Sequence, residues 1–85
     1  MRLDKFLKVS RLIKRRTLAK EVADVGRIEV NGRTAKPSSE VKVGDLLTLD
    51  FGSRLLKVEI MAIANSAGKA DAAEMYRVVE EVKVL

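Results

Sequence analysis

The dipeptide Asn31-Gly32 constrains this chain more than any other feature. It lies within "RIEVNGRTAK", between two runs of alternating apolar and polar residues. A two-residue type I′ turn needs positive φ at both central positions, and Asn-Gly adopts it readily. The loop length then predicts the pairing: Val30 faces Arg33, Ile28 faces Ala35, and Arg27 faces Lys36. The last pair sets like charges across strands, which is unfavourable, so Arg27 and Lys36 make better sense facing phosphate than facing each other, the alternative being that strand twist splays both into water.

Upstream the period is helical. Leu3, Phe6 and Leu7 fall at i, i+3, i+4, and Leu18, Val22 and Val25 at i, i+4, i+7, which predicts two short helices. Residues 10 to 16 connect them, Thr17 is the expected N-cap of the second, and Gly26 its C′ residue. Downstream, after "KPSSEVKVGD", a second hairpin is expected. Leu47, Leu49 and Phe51 alternate towards a Gly52-Ser53 turn, and Leu56, Val58 and Ile60 alternate away from it, setting six apolar residues on one core face. "ANSAGKADAA" has weak patterning, and "EMYRVVEEV" suits either a last strand or a helix. The expected fold class is therefore α+β, with two short N-terminal helices packed on a small, mainly antiparallel sheet of about four to five strands. The 85 residues are expected to form one domain, with a core over 1–63 and a C-terminal segment, 64–85, of open structure.

The chain has no cysteine and no histidine, so disulfides, Cys/His zinc clusters and thiol or imidazole catalysis are excluded. Asp4, Asp45 and Asp50 read as isolated capping or solvated carboxylates rather than as acid–base machinery. "NGRTAKPSS" lacks the spacing of a phosphate-binding glycine loop. The composition points to a non-enzyme that needs no cofactor and no metal. "MRLDKFLKVSR" contains neither a signal-peptide core nor a membrane span, and a cytoplasmic monomer is expected.

Charge narrows the partner. The formal net charge is +5, but residues 1–36 hold 11 Lys and Arg against 4 acids, whereas residues 37–85 hold 6 against 8. The cations thus gather on the helices and first hairpin, where they can converge on one anionic surface. The candidate RNA contacts are Arg2, Lys5, Arg11, Lys14, Arg15, Arg16, Lys20, Arg27 and Lys36. Only Phe6, Phe51 and Tyr76 are aromatic, too few for base stacking along a single strand. The acids Glu21 and Asp24 on the second helix would meet duplex DNA badly. Folded RNA, recognised by shape through phosphates and 2′-hydroxyls, fits better.

"RRTLAKEVADVGRIEVNG" resembles the core of the S-four RNA-binding domain, or αL motif. The matching positions are Arg16, Ala19, Gly26, Arg27, Ile28, Val30, Asn31 and Gly32. Arg15 stands where the family often has serine. With "MRLDKFLKVSRLIKRRTLAKE", "AKPSS" and "VKVGD", the resemblance extends over residues 1 to about 63 to small standalone members of the family that act in bacterial ribosome quality control. It is more distant to the ribosome-associated heat-shock members. The resemblance implies a non-catalytic factor that binds stalled large ribosomal subunits obstructed by peptidyl-tRNA. Its contacts would go to large-subunit rRNA and to the tRNA. It would support a partner of the RqcH type that adds C-terminal alanine tails. Arg2 and Arg16 carry over first by position, with Arg11, Lys14 and Arg15 as flanking phosphate contacts. The alternative is an RNA-binding role in ribosome assembly or general subunit recycling.

Overall fold

The computed structural model describes residues 1–83; Val84 and Leu85, the end of the expected C-terminal segment, lie outside the described residues. Two helices stand where the apolar spacing predicts them, α1 over Leu3–Val9 and α2 over Arg16–Asp24. Leu3, Phe6 and Leu7 are fully buried and form the helical side of the core. α2 departs from expectation in two respects. Its N-cap is Arg15, without a side-chain cap, rather than Thr17. It buries Ala19 and Ala23, while Leu18 and Val25 stay 48% and 69% exposed. Ala19 and Ala23 repeat the i, i+4 spacing of Leu18 and Val22 one residue on, a rotation of about 100°. The small alanine face lets the helix backbone approach its neighbours, so close packing decides the orientation over bulk hydrophobicity.

The end of α2 follows the prediction. Gly26 has φ +80°; its N–H donates to the Ala23 carbonyl at 3.0 Å, and the Arg27 N–H donates to that of Val22 at 3.2 Å, the paired bonds of a Schellman cap. α1 ends similarly, but with Arg11 in the left-handed position at φ +62° and its N–H donating to the Lys8 carbonyl at 3.1 Å. Two buried residues pin the connection that follows. The Ser10 hydroxyl donates to the Leu7 carbonyl at 3.3 Å, and the Ile13 N–H donates to the same carbonyl at 3.1 Å. Arg11, Lys14 and Arg15 are left exposed around them.

Five antiparallel strands, β1 (Ile28–Val30), β2 (Arg33–Thr34), β3 (Leu46–Asp50), β4 (Arg54–Ile60) and β5 (Tyr76–Lys83), form one sheet in the order β2-β1-β3-β4-β5. Asn31 and Gly32 have φ +52° and +82°, and Val30 lies opposite Arg33, as a type I′ turn requires. The Asn31 side chain also joins this turn to β3. Its Nδ2 donates to Asp45 at 3.1 Å, and its Oδ1 accepts the Leu46 N–H at 3.0 Å. Asp45 is therefore a buried turn residue rather than a solvated one.

The first hairpin is shorter than the alternating pattern suggests. After the Ala35 N–H bonds the Ile28 carbonyl, the chain leaves the sheet, and Arg27 and Lys36 never pair. The carbonyls of Pro37 and Ser39 accept instead from the N–H groups of Asp4, at 3.1 Å, and Leu3, at 2.8 Å. These are first-turn donors of α1, which no intrahelical carbonyl can satisfy.

The second hairpin keeps its predicted register, with Leu47 opposite Val58 and Leu49 opposite Leu56. Leu47, Leu49, Leu56, Val58 and Ile60 are buried. Phe51, expected on the same face, is only half-buried, with the Arg54 guanidinium 5.0 Å from its ring centroid. In the C-terminal segment, a short helix α3 (Lys69–Ala73) leads into β5. The strand alternative is realised there because β4 presents an open edge. Pairing shifts between Lys57 and Val58, so that Lys57 opposes Glu80 and Val58 opposes Val78, leaving Val79 as the extra residue of a bulge.

Candidate nucleic-acid interface

The first turn of α1 places a carboxylate where two arginines converge. Asp4 is 3% exposed. Its Oδ1 accepts from Arg2 Nε at 3.2 Å, Arg16 Nη2 at 3.3 Å and the Lys5 N–H at 2.8 Å, while its Oδ2 accepts from Arg2 Nη2 at 3.3 Å. Burial alone would raise the Asp4 pKa. The hydrogen bonds and positive charges of Arg2 and Arg16 outweigh it and hold the carboxyl below its ordinary value of 3.8. Each guanidinium carries five N–H donors; Arg2 commits two and Arg16 one to Asp4. Both side chains remain about half exposed, at 48% and 49%. The carboxylate therefore fixes the arginine heads and leaves further N–H groups facing outward, a geometry suited to phosphate oxygens.

Arg2 also lines a groove of about 440 Å³ with Lys20, Asp24 and Lys36. α2 supplies Lys20 from the same turns that bury Ala19 and Ala23. The turn after β2 supplies Lys36, whose N–H donates to Ser39 Oγ at 2.9 Å. Arg15 and Arg16 project at the start of α2, and Arg11 and Lys14 from the pinned connection. Two candidates point elsewhere. Lys5 donates through Nζ to Asn65 Oδ1 at 3.2 Å and belongs to the contact between α1 and the 64–68 loop. Arg27 lies on the opposite flank of α2, beside Leu18, Glu21 and Val25, with its guanidinium against Gly52. It does not join Lys36, because the first hairpin ends before the two could pair.

This helix pair and hairpin coincide with the match to a family model, "S4 domain", over residues 1–47. The chain is 60% identical to the RQC P-site tRNA stabilizing factor of Bacillus subtilis, over 99% of this chain and 98% of that one. It is 56% identical to the protein of the same name from Streptococcus pneumoniae, over 99% and 96%. The chain is an S4 domain protein of the RQC P-site tRNA stabilizing factor family. The trimeric structure of Vibrio cholerae heat shock protein 15 superposes with a TM-score of 0.86 at 35% identity, covering 93% of this chain and 81% of that one. This S4 family is RNA-binding and non-catalytic. Among the described residues, no helix is long and apolar enough to cross a membrane, and no cluster of acidic side chains could hold a metal ion.

Asp4 is the member of this arginine cluster that sequence reasoning missed. It reads as an isolated carboxylate, yet it is the shared partner of Arg2 and Arg16. The only local signal is Arg2 two positions before it; Arg16 reaches it only because the S4 helix pair folds back. Lys69 gave no signal at all, since it lies in the half of the chain with excess acid, and the fold carries it to the end of α1.

Proposed function

We propose that this chain is a non-catalytic RNA-binding factor of ribosome quality control. It binds large ribosomal subunits obstructed by peptidyl-tRNA and steadies the tRNA in the peptidyl site. In doing so it supports C-terminal alanine tailing of the stalled chain by a partner of the RqcH type. Contacts go to large-subunit rRNA and to the tRNA, and the factor acts as a cytoplasmic monomer. The observation that carries this reading is the pair of arginines, Arg2 and Arg16, held outward by buried Asp4 beside a cationic groove. It occurs in a chain 60% identical, over nearly its whole length, to a P-site tRNA stabilizing factor. Lys20 and Lys36 extend the phosphate contacts along the groove, Arg15 flanks them at the start of α2, and Arg11 and Lys14 offer further phosphate contacts from the connection before it.

Co-sedimentation with large subunits tests it. Wild-type protein is expected to prefer subunits carrying peptidyl-tRNA over vacant ones. Arg16→Ala is expected to abolish co-sedimentation while the melting temperature changes by no more than a few degrees. Equal affinity for vacant and obstructed subunits would instead support a role in assembly or general recycling. Each phosphate contact adds roughly 0.7 to 0.9 to the slope of log affinity against log salt, so a slope near zero would refute the electrostatic basis.

A further inference from the structure

A second cationic cleft, of about 570 Å³, lies at the other end of α1 and is lined by Lys8, Arg11, Lys14 and Lys69. It adjoins a smaller cleft where Lys8 and Arg11 meet Asn65 and Ser66. Neither shares a lining residue with the groove of Arg2, Lys20 and Lys36. All four cations are exposed, and among the described residues none has an acidic partner at ion-pair distance. Four like charges around one cleft repel unless a polyanion enters.

The backbone supplies an independent observation. Arg11 occupies the left-handed C′ position of α1, at φ +62°, which glycine or asparagine adopts with less strain. Among the described residues its side chain makes no hydrogen bond and no ion pair, so no polar contact within the fold calls for arginine there. Strain retained at an exposed cation points to a role for the cation. Lys69 is brought in by the C-terminal segment: Ala72 and Met75 are buried, and the Met75 carbonyl accepts the Met61 N–H at 2.8 Å, which seats α3 against the body of the domain.

Resting on the RNA-binding reading above, we infer that Lys8, Arg11, Lys14 and Lys69 bind the phosphate backbone of a second RNA segment, distinct from the one over Arg2 and Arg16. The domain then joins two RNA segments, and its C-terminal third is part of the contact.

Two probes test this, vacant large ribosomal subunits and deacylated tRNA, against two variants, Lys8→Glu/Lys69→Glu and Arg16→Ala. The cleft variant is expected to lose tenfold or more in affinity for one probe while the other stays within threefold, and Arg16→Ala is expected to rank the probes the opposite way. Neutralising Lys8 and Lys69 with alanine should lower the salt slope for the affected probe by about 1.4 to 1.8. Arg11→Gly controls for folding: it should raise the melting temperature while weakening the same probe that the cleft variant weakens. Parallel loss of both probes in both variants would overturn the inference, as would unchanged binding by the cleft variant while Arg16→Ala remains defective. Wild-type protein that binds neither probe would overturn the RNA-binding reading itself.

Discussion

Arg11 and Arg16 stand at the start and the end of the same connection, yet opposite means hold them. Arg16 is fixed through its side chain, by a hydrogen bond to buried Asp4. Arg11 is fixed through its backbone, in a left-handed conformation between the pinned Ser10 and Ile13. The difference separates two ways of preparing a cation for phosphate. A carboxylate orients the head group and makes it answer to protonation. A strained backbone sets the direction of the side chain and leaves the head mobile, at some expense in stability.

The largest effect is expected from breaking the first arrangement. Asp4→Ala removes the acceptor shared by Arg2, Arg16 and the Lys5 N–H, and should destabilise the fold by about 1 to 3 kcal/mol, towards the lower end because both arginines are half in water. Affinity for large subunits should fall with it, about tenfold, even under conditions where the variant is fully folded by circular dichroism. Unchanged affinity would mean that Asp4 does not organise the interface.

The two helix ends sharpen the contrast by moving stability in opposite directions. Gly26→Ala should cost about 1 kcal/mol in chemical denaturation. A Cβ there would lie 3.7 Å from Thr34 Cγ2, an ordinary contact, so the loss is conformational alone. Arg11→Gly should stabilise by about 0.5 to 1 kcal/mol, since relief of strain is partly offset by a more flexible unfolded chain. A destabilised Arg11→Gly protein would show that the arginine side chain supports the fold.

Acid should reveal the smallest effect. The Asp4 pKa is lowered in the folded state, so its stabilisation is fully present above its ordinary value of 3.8 and is lost as pH falls through the lowered one. The difference in melting temperature between wild type and Asp4→Asn should therefore be constant from neutral pH to about 5 and shrink below 4. A gap that widens in acid would reverse the sign assigned to this carboxylate.

Local chemistry made much of the architecture legible. Asn31-Gly32 and Gly52-Ser53 set both hairpin registers because turn geometry depends on a few adjacent residues. The face presented by α2 was not legible, because Ala19 and Ala23 look less hydrophobic than Leu18 and Val25 but permit closer approach. The paths of Arg27 and Lys36 diverge because the first-turn N–H groups of α1 draw Pro37 and Ser39 out of the sheet, a competition between segments distant in sequence. The cationic candidates could be read one by one, but not their division into groups. That division depends on Asp4 and on α3, whose partners lie on other elements.

The bonds between the start of α1 and residues 37–41 have a consequence for timing. Arg2 bridges to Glu40, the Met1 carbonyl accepts the Val41 N–H at 2.9 Å, and Leu3 and Asp4 donate to Ser39 and Pro37. During synthesis α1 is made first, yet its leading turn lacks these partners until roughly the next 40 residues have followed. Arg2 and Asp4 reach their final geometry only then. A half-made or unfolded copy thus lacks the arginine clamp, and the RNA contact proposed for it belongs to the finished domain alone.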